Sequence, residues 1–281
     1  MNNEQQRILE VLKFAISFFE EHHLRYVACA GTVLGAVRHG GFIPWDDDID
    51  IYMPREDYNK LLALSDKVKE AGYNVVSLKD KGYYLPFSKI TDTSSTIWEC
   101  KEMPFVFGFY VDVFPLDSTS ESDETIFGWQ KRTAELLSKY RISVCHYTLC
   151  DFVRSLLRRD KYHCIEQVKS WFWRPVSGKY LADFQRFEQK YSGGKGEKCL
   201  CVTQEHGKIF QTSWFDNPVE LDFEGIKLKV PNHYDEYLTL LYGNYHELPP
   251  VEKRHSDHQR FYLDSNRLLT VSQVRKMLKN G

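Results

Sequence analysis

Residues 25–54 read RYVACAGTVLGAVRHGGFIPWDDDIDIYMP, and the fold turns on this stretch. Arg25–Gly31 is a short apolar run that ends at a glycine, which predicts a buried strand. Thr32 stands where a side-chain cap would, so TVLGAVRHG predicts a short helix closed by the Gly40-Gly41 pair. Asp48–Met53 then alternates acidic and apolar residues, as a half-buried strand does. Pro54 predicts the first turn of another helix, which Gly72 ends.

The alternation continues on both sides. Upstream, Ile8, Leu9, Leu12, Ile16 and Phe19 lie at helical spacing within residues 4–22. Downstream, Asn74–Lys79, Tyr83–Asp92 and Phe107–Phe114 read as strands, so the first part of the chain is of the α/β (α+β) class. Ser120–Tyr191 is mainly helical in pattern. The tail holds a hairpin, VELDFEGIKLKV (219–230), turning at Glu224-Gly225, then a helix from near Pro231 to Gly243. These shifts divide the chain into residues 1–118, 119–198 and 199–281, with no internal repeat.

Bulk properties bound the function. A chain of 281 residues, 42% hydrophobic and 27% charged, has the make-up of an ordinary globular protein. A net charge of -2 argues against a protein that coats nucleic acid. The seven cysteines are odd in number and lack zinc spacing, Cys199-x-Cys201 being the nearest approach, so free thiols in a reducing cytosol are expected. Lys13 and Glu20-Glu21 interrupt the apolar run near the N-terminus, which predicts neither a signal peptide nor a membrane span. A soluble, cytoplasmic protein is expected.

The chemistry concentrates in Pro44–Ile51, PWDDDIDI, with four carboxylates in a row broken only by Ile49. On a strand, Asp48 and Asp50 project to one face, and Asp46 or Asp47 at its mouth joins them. Oxygen ligands at this density suit a hard cation such as Mg²⁺ or Mn²⁺. A solvated acidic loop is the plain alternative. A calcium loop counted from Asp46 fails, because Ile51 falls where glycine is needed. Asp112 stands alone in the apolar strand YVDVF and is costly to bury unpaired. If the two strands adjoin, three carboxylates converge as metal-assisted phosphoryl transfer requires. Gly31-Thr32 at a helix N-terminus is an ordinary cap or, upstream of such a strand, a phosphate cradle. No Walker A loop, GxGxxG or HExxH occurs.

Gly31–Tyr58 closely resembles the signature of the LicD family, bacterial phosphocholine transferases of the nucleotidyltransferase superfamily related to fukutin and fukutin-related proteins. Phe87–Ile90, Val111–Asp117, Val230–Tyr237, Tyr242-Gly243 and Pro249–Arg254 resemble its further blocks. The resemblance implies a nucleotidyltransferase-like mixed sheet flanked by helices in residues 1–118, with 199–281 completing the active site. It implies that Gly31 and Thr32 cradle phosphate, that Asp48, Asp50 and Asp112 bind metal with Asp46 close by, and that a CDP-activated alcohol is the donor. The expected reaction is attack by a glycan hydroxyl on the β-phosphate of CDP-choline or a related CDP-alcohol, releasing CMP. Asp112 or Asp46 accepts the proton. Arg38 and Lys89 are candidate phosphate contacts, and Trp45, Tyr83, Tyr84 and Trp98 are candidate faces for a quaternary ammonium. The segment from Lys253 to His258 supplies Arg254, His255 and His258 as a candidate lid over phosphate or acceptor, the histidines being alternative metal ligands.

Residues 154–179 combine seven basic side chains with Trp171, Phe172 and Trp173. This is either a solvated helix face or a peripheral contact with a membrane that carries a lipid-linked glycan. Two other functions remain open: transfer of a nucleoside monophosphate, which releases pyrophosphate, and an inactive nucleotide-binding module, which would be expected to lack one of the three carboxylates.

Overall fold

The computed structural model describes residues 1–204, 207–256, 258 and 260–280. The N-terminal half contains α1 (Asn3–Glu21), β1 (Val27–Ala28), α2 (Ala30–His39), β2 (Asp50–Pro54), α3 (Arg55–Ala63), α4 (Ser65–Glu70), β3 (Tyr73–Val76), β4 (Ser88–Asp92), β5 (Thr96–Trp98) and β6 (Tyr110–Thr119). Four helices follow: α5 (Asp123–Val144), α6 (Leu149–Leu157), α7 (Lys161–Trp173) and α8 (Ser177–Glu188). The remainder is β7 (Lys198–Leu200), β8 (Phe210–Gln211), α9 (Ser213–Asp216), β9 (Val219–Phe223), β10 (Ile226–Val230), α10 (Tyr234–Tyr242), β11 (Tyr262–Asp264) and α11 (Val271–Asn280).

The mixed α/β class is as expected. A sheet ordered β1-β2-β6-β4-β3 forms the centre, and β7 and β8 extend it from the far end of β6. Only β2 and β6 run parallel, with Asp50 opposite Asp112. On the other flank β4 runs antiparallel and sets Lys89 opposite Asp112. Three charged residues therefore lie side by side across three strands, because register on a pleated sheet places opposed residues on one face.

α1 starts with a reciprocal cap, Asn2 and Gln5 each accepting the other's backbone N–H. Its apolar stripe, including Ile8, Leu12, Ala15 and Phe19, is buried in the main core. The strand expected at Arg25–Gly31 contracts to Val27–Ala28. The Cys29 N–H closes on Asp50 O at 3.0 Å, and Ala30 then turns the chain into α2 with φ +47°. Thr32 is consequently not the cap. It lies inside the first turn, where its Oγ1 accepts the Asp50 N–H at 2.8 Å, and Cys29 occupies the cap position without a side-chain bond.

Other boundaries shift for similar reasons. The helix expected from Pro54 to Gly72 breaks at Leu64 into α3 and α4, and Pro54 ends β2 instead of lying within the helix. Strand structure begins at Ser88, not Tyr83, since Tyr83 and Tyr84 are buried in the approach to the strand. β6 begins at Tyr110 and continues to Thr119, where β7 supplies a further partner. The expected hairpin forms over Val219–Val230, with Glu224 and Gly225 both at positive φ as a two-residue turn of this hand needs. The helix expected near Pro231 starts at Tyr234 and ends at Gly243. All seven cysteines are free. No helix among the described residues is long and apolar enough to cross a membrane.

Candidate active site

Each acidic side chain is held by a different element. Asp50 opens β2, and Asp112 lies beside it in β6. Asp46–Asp48 form the loop into β2, which α1 supports through Gln5, whose Nε2 donates to Asp46 O at 2.9 Å. α2 lies beneath: a Cβ built on Gly31 would come within 2.8 Å of Asp46 Oδ2. Glycine at position 31 thus lets a helix N-terminus and a carboxylate share this space. Tyr237 fixes the same turn by accepting the Ala30 N–H at 2.9 Å.

The carboxylates disturb one another. Burial and then the charge and hydrogen bond of Asp48 push the Asp46 carboxyl up to about 8. Burial, Asp48, Asp112 and Asp46 raise Asp50 well above the ordinary carboxylate range. Burial raises Asp112 to about 7 even though the Lys89 ammonium opposes the shift. A group of acids whose proton affinity rises for want of positive charge is a fitting seat for a divalent cation.

Lys89 is fully inside. Its Nζ donates to Asp112 Oδ1 at 2.7 Å, lies 3.8 Å from Glu99 Oε1, and sits 3.5 Å from the Tyr110 ring centroid. With this side chain only 2% exposed, its ammonium serves Asp112 and does not project toward a solvent-side phosphate.

The other residues singled out from the sequence fall into two sets. Arg38, in the last turn of α2, donates to the Tyr245 carbonyl at 2.9 Å, and burial, then the charge of Arg254, lowers its pKa. The Arg254 guanidinium lies 5.6 Å from the Trp45 ring centroid. Two arginines and a half-buried tryptophan thus border the acidic loop. Tyr83, Tyr84 and Trp98, by contrast, are buried in the core, where they present no face to a ligand. His255 is exposed, its Nδ1 3.1 Å from Ser256 O, whereas His258 reaches the acids: Nδ1 lies 2.9 Å from Asp47 Oδ1 and Nε2 3.6 Å from Asp48 Oδ2. The hydrogen bond with Asp47 raises the imidazole to about 9 against the effect of burial. Asp257, between them, lies outside the described residues.

Asp47 was the alternative to Asp46 at the mouth of the acidic strand, whereas Ser256 and Arg260 were given no role from the sequence. Ser256 Oγ donates to Asp47 Oδ1 at 2.6 Å, and Arg260 binds Asp47 Oδ2 at 2.9 Å while also pairing with Glu4 of α1. Among the described residues, the trio whose ligand atoms all approach within 4.8 Å is Asp47, Asp48 and His258. Asp50 and Asp112 lie in register beside this trio without joining it. The chain returns here because β11 pairs with β5, Tyr262 opposite Trp98, with Ser256, His258 and Arg260 reaching Asp47 of the acidic loop. No sequence signal announces that pairing, although the basic and hydroxyl residues after Pro250 carry its chemistry.

Carboxylates of β2, β6 and the loop into β2 are thus gathered beside the N-terminus of α2 in a mixed sheet. Residues 23–140 match the model for the LicD/FKTN/FKRP nucleotidyltransferase domain, so this stretch of the chain is similar to that domain. It is 27% identical over 264 residues to the lipopolysaccharide cholinephosphotransferase LicD of Haemophilus influenzae, a match covering 91% of this chain and 95% of that protein. It is 35% identical over 68 residues to an uncharacterized protein of Rickettsia prowazekii, covering 24% of this chain and 26% of that one. A 48-residue stretch, 17% of this chain and 10% of the other, is 40% identical to the human ribitol 5-phosphate transferase FKRP.

Proposed function

We propose that this protein transfers a phospho-alcohol, phosphocholine first among them, from a CDP-linked donor to a hydroxyl of a cell-surface glycan and releases CMP. The observation that carries the reading is the juxtaposition of Asp50, Asp112 and the Asp46–Asp48 loop above the N-terminus of α2, in a chain similar over nearly its whole length to a cholinephosphotransferase. The donor set, oxygen-rich and short of positive charge, suits Mg²⁺ or Mn²⁺ held by Asp48, Asp50 and Asp112. Bound there, the cation neutralises phosphate oxygens and the charge that develops on the departing CMP.

The chain's own groups do the rest. The first turn of α2 at Gly31 and Thr32 offers its dipole to a donor phosphate, while Arg38 and Arg254 stand at the rim for the phosphate further out. Trp45 lies beside Arg254, where an aromatic face serves a nucleobase or a quaternary ammonium. The acceptor oxygen forms the new bond to phosphorus as the bond to the CMP oxygen breaks. The acceptor proton passes to Asp46, because Asp112 already holds the Lys89 ammonium on one oxygen. His258, Ser256 and Arg260 hold the Asp47 carboxylate and steady the loop.

The test is CMP release from CDP-choline with Mg²⁺ or Mn²⁺ and candidate glycans, with Asp48→Ala and Asp112→Ala as controls. Release that needs the metal and both carboxylates supports the reading. Turnover of CDP-ribitol or CDP-glycerol alone keeps the mechanism and changes the alcohol, an arm that the similarity to a ribitol 5-phosphate transferase makes worth running. Pyrophosphate release from a nucleoside triphosphate, with every CDP-alcohol inert, overturns it in favour of nucleotidyl transfer.

A further inference from the structure

Away from the acidic site, exposed apolar side chains crowd into one part of the chain. Of the 19 exposed large apolar residues among the described residues, eight fall within residues 149–176, a tenth of the sequence. α6 is the extreme case, with no buried residue at all. Its Leu149, Val153, Leu156 and Leu157 recur at i, i+4, i+7 and i+8 and so share one face. That face is open, Leu156 being 60% and Leu157 80% exposed. α6 is nevertheless a well-made helix. Thr148 and Asp151 cap it reciprocally, and its other side is fixed to α7 by Phe152 against Trp171 at 5.5 Å and by Gln167 Nε2 donating to Ser155 Oγ at 3.0 Å. On α7, Tyr162 and Phe172 are also largely in solvent, 74% and 77% exposed.

Charge selects the partner. Residues 149–179 carry seven basic side chains against three acidic ones, a net of +4, so the remainder of this chain of net charge -2 sums to -6. Arg154, Arg158, Arg159, Lys161 and Lys169 are exposed around the apolar face. Apolar side chains flanked by exposed arginine and lysine match an anionic bilayer, whose headgroups take the cations while the leucines enter the acyl boundary. The acidic remainder is repelled by the same surface, which fixes the orientation.

We propose that α6, with the outer side of α7, is a peripheral contact for an anionic membrane. Residues 99–101 lie between this contact and the buried Lys89–Asp112 pair. Lys101 lies 3.8 Å from Asp151 of α6, and Glu99, two residues before it, lies 3.8 Å from Lys89. The inference deepens the proposed reaction, on which it rests for the identity of the acceptor, by making that acceptor a glycan carried on a lipid.

Flotation of the full chain with vesicles tests it without using turnover, so its failure leaves the transfer reaction standing. The protein is expected to float with phosphatidylcholine vesicles containing phosphatidylglycerol and to stay behind with phosphatidylcholine alone. Arg158→Gln/Arg159→Gln should weaken partitioning about 25-fold, at roughly fivefold per charge. Leu156→Ser/Leu157→Ser should weaken it at least tenfold or so, with an unchanged melting curve to show that the fold survives. Wild-type protein that ignores the anionic vesicles, or either variant floating as wild type does, overturns the proposal. A concentration-dependent dimer abolished by the leucine variant, without vesicle binding, also overturns it and gives the face to a second copy of the chain.

Discussion

Around Asp112 charged side chains are buried and answered by one another, whereas around Leu157 apolar side chains stand in water among exposed arginines. Lys89 pairs with Asp112 and lies close to Glu99, which accepts a hydrogen bond from Tyr110, while the carboxyls of Asp46 and Asp50 crowd beside them. α6 makes its internal hydrogen bonds and its cap, then offers four apolar residues to nothing within the described chain. Both arrangements cost stability: the first by desolvating charge, the second by leaving apolar area in water. The difference teaches where to look for function, because each cost is offset only by something from outside, a cation and a phosphate in one region and a surface in the other.

The sharpest way to break the comparison is at the acids. Asp48→Ala or Asp50→Ala should lower CMP release by about three orders of magnitude or more, as loss of a group acting mainly on transition-state charge does. Retention of more than a tenth of the wild-type rate in either variant would move the site elsewhere. Next comes the buried pair. Lys89→Met leaves Asp112 buried without its cation and should cost about 3–5 kcal/mol in urea unfolding, whereas Lys89→Met/Asp112→Leu should recover most of that loss. Both variants should be inactive, so stability and turnover separate the packing role from the chemical one.

A smaller effect is expected from the cation itself. Because burial, and after it the neighbouring carboxylates, raises Asp46, Asp50 and Asp112, Mg²⁺ or Mn²⁺ should stabilise the fold. At a hundredfold excess over its dissociation constant the gain is about 2.7 kcal/mol, a rise of several degrees in Tm that chelation reverses. Asp48→Asn/Asp50→Asn should remove the metal-dependent rise while leaving the metal-free protein no less stable. A rise that persists in this variant would place the ion at another position.

Much of the acidic region was legible because short-range rules act there. Alternation in DIDIYM placed β2, and the isolated Asp112 among β-branched and aromatic residues marked a second strand whose charge needed a partner. The partner itself was not legible. Lys89 reads as a candidate phosphate contact until β4 sets it opposite Asp112, and only register across three strands does that. Thr32 misled because a hydroxyl before an apolar run is the usual cap, yet the backbone of Asp50 competes for that hydroxyl from across the sheet. The return of Ser256, His258 and Arg260 depends on a pairing between β11 and β5 more than 160 residues away, beyond any local pattern. In the helical segment the reverse holds: the basic residues of 154–179 were visible in the sequence, but which apolar residues stay uncovered depends on packing against α7.

The smallest expected effect separates the two regions most cleanly. Leu156→Ser and Leu157→Ser should each change unfolding stability by less than about 0.5 kcal/mol, the range of surface substitutions, because the leucines already stand in water in the native state. Leu12→Ala in α1, at a fully buried position, should cost about 2–5 kcal/mol by lost transfer energy and the cavity it leaves. If the α6 variants instead prove as costly as Leu12→Ala, those leucines are covered in solution by another copy or another segment, and the open face would be a feature of the isolated chain. If they are neutral in stability yet lose vesicle binding, their exposure has no role in folding and the reason for keeping two leucines in water is the surface they meet.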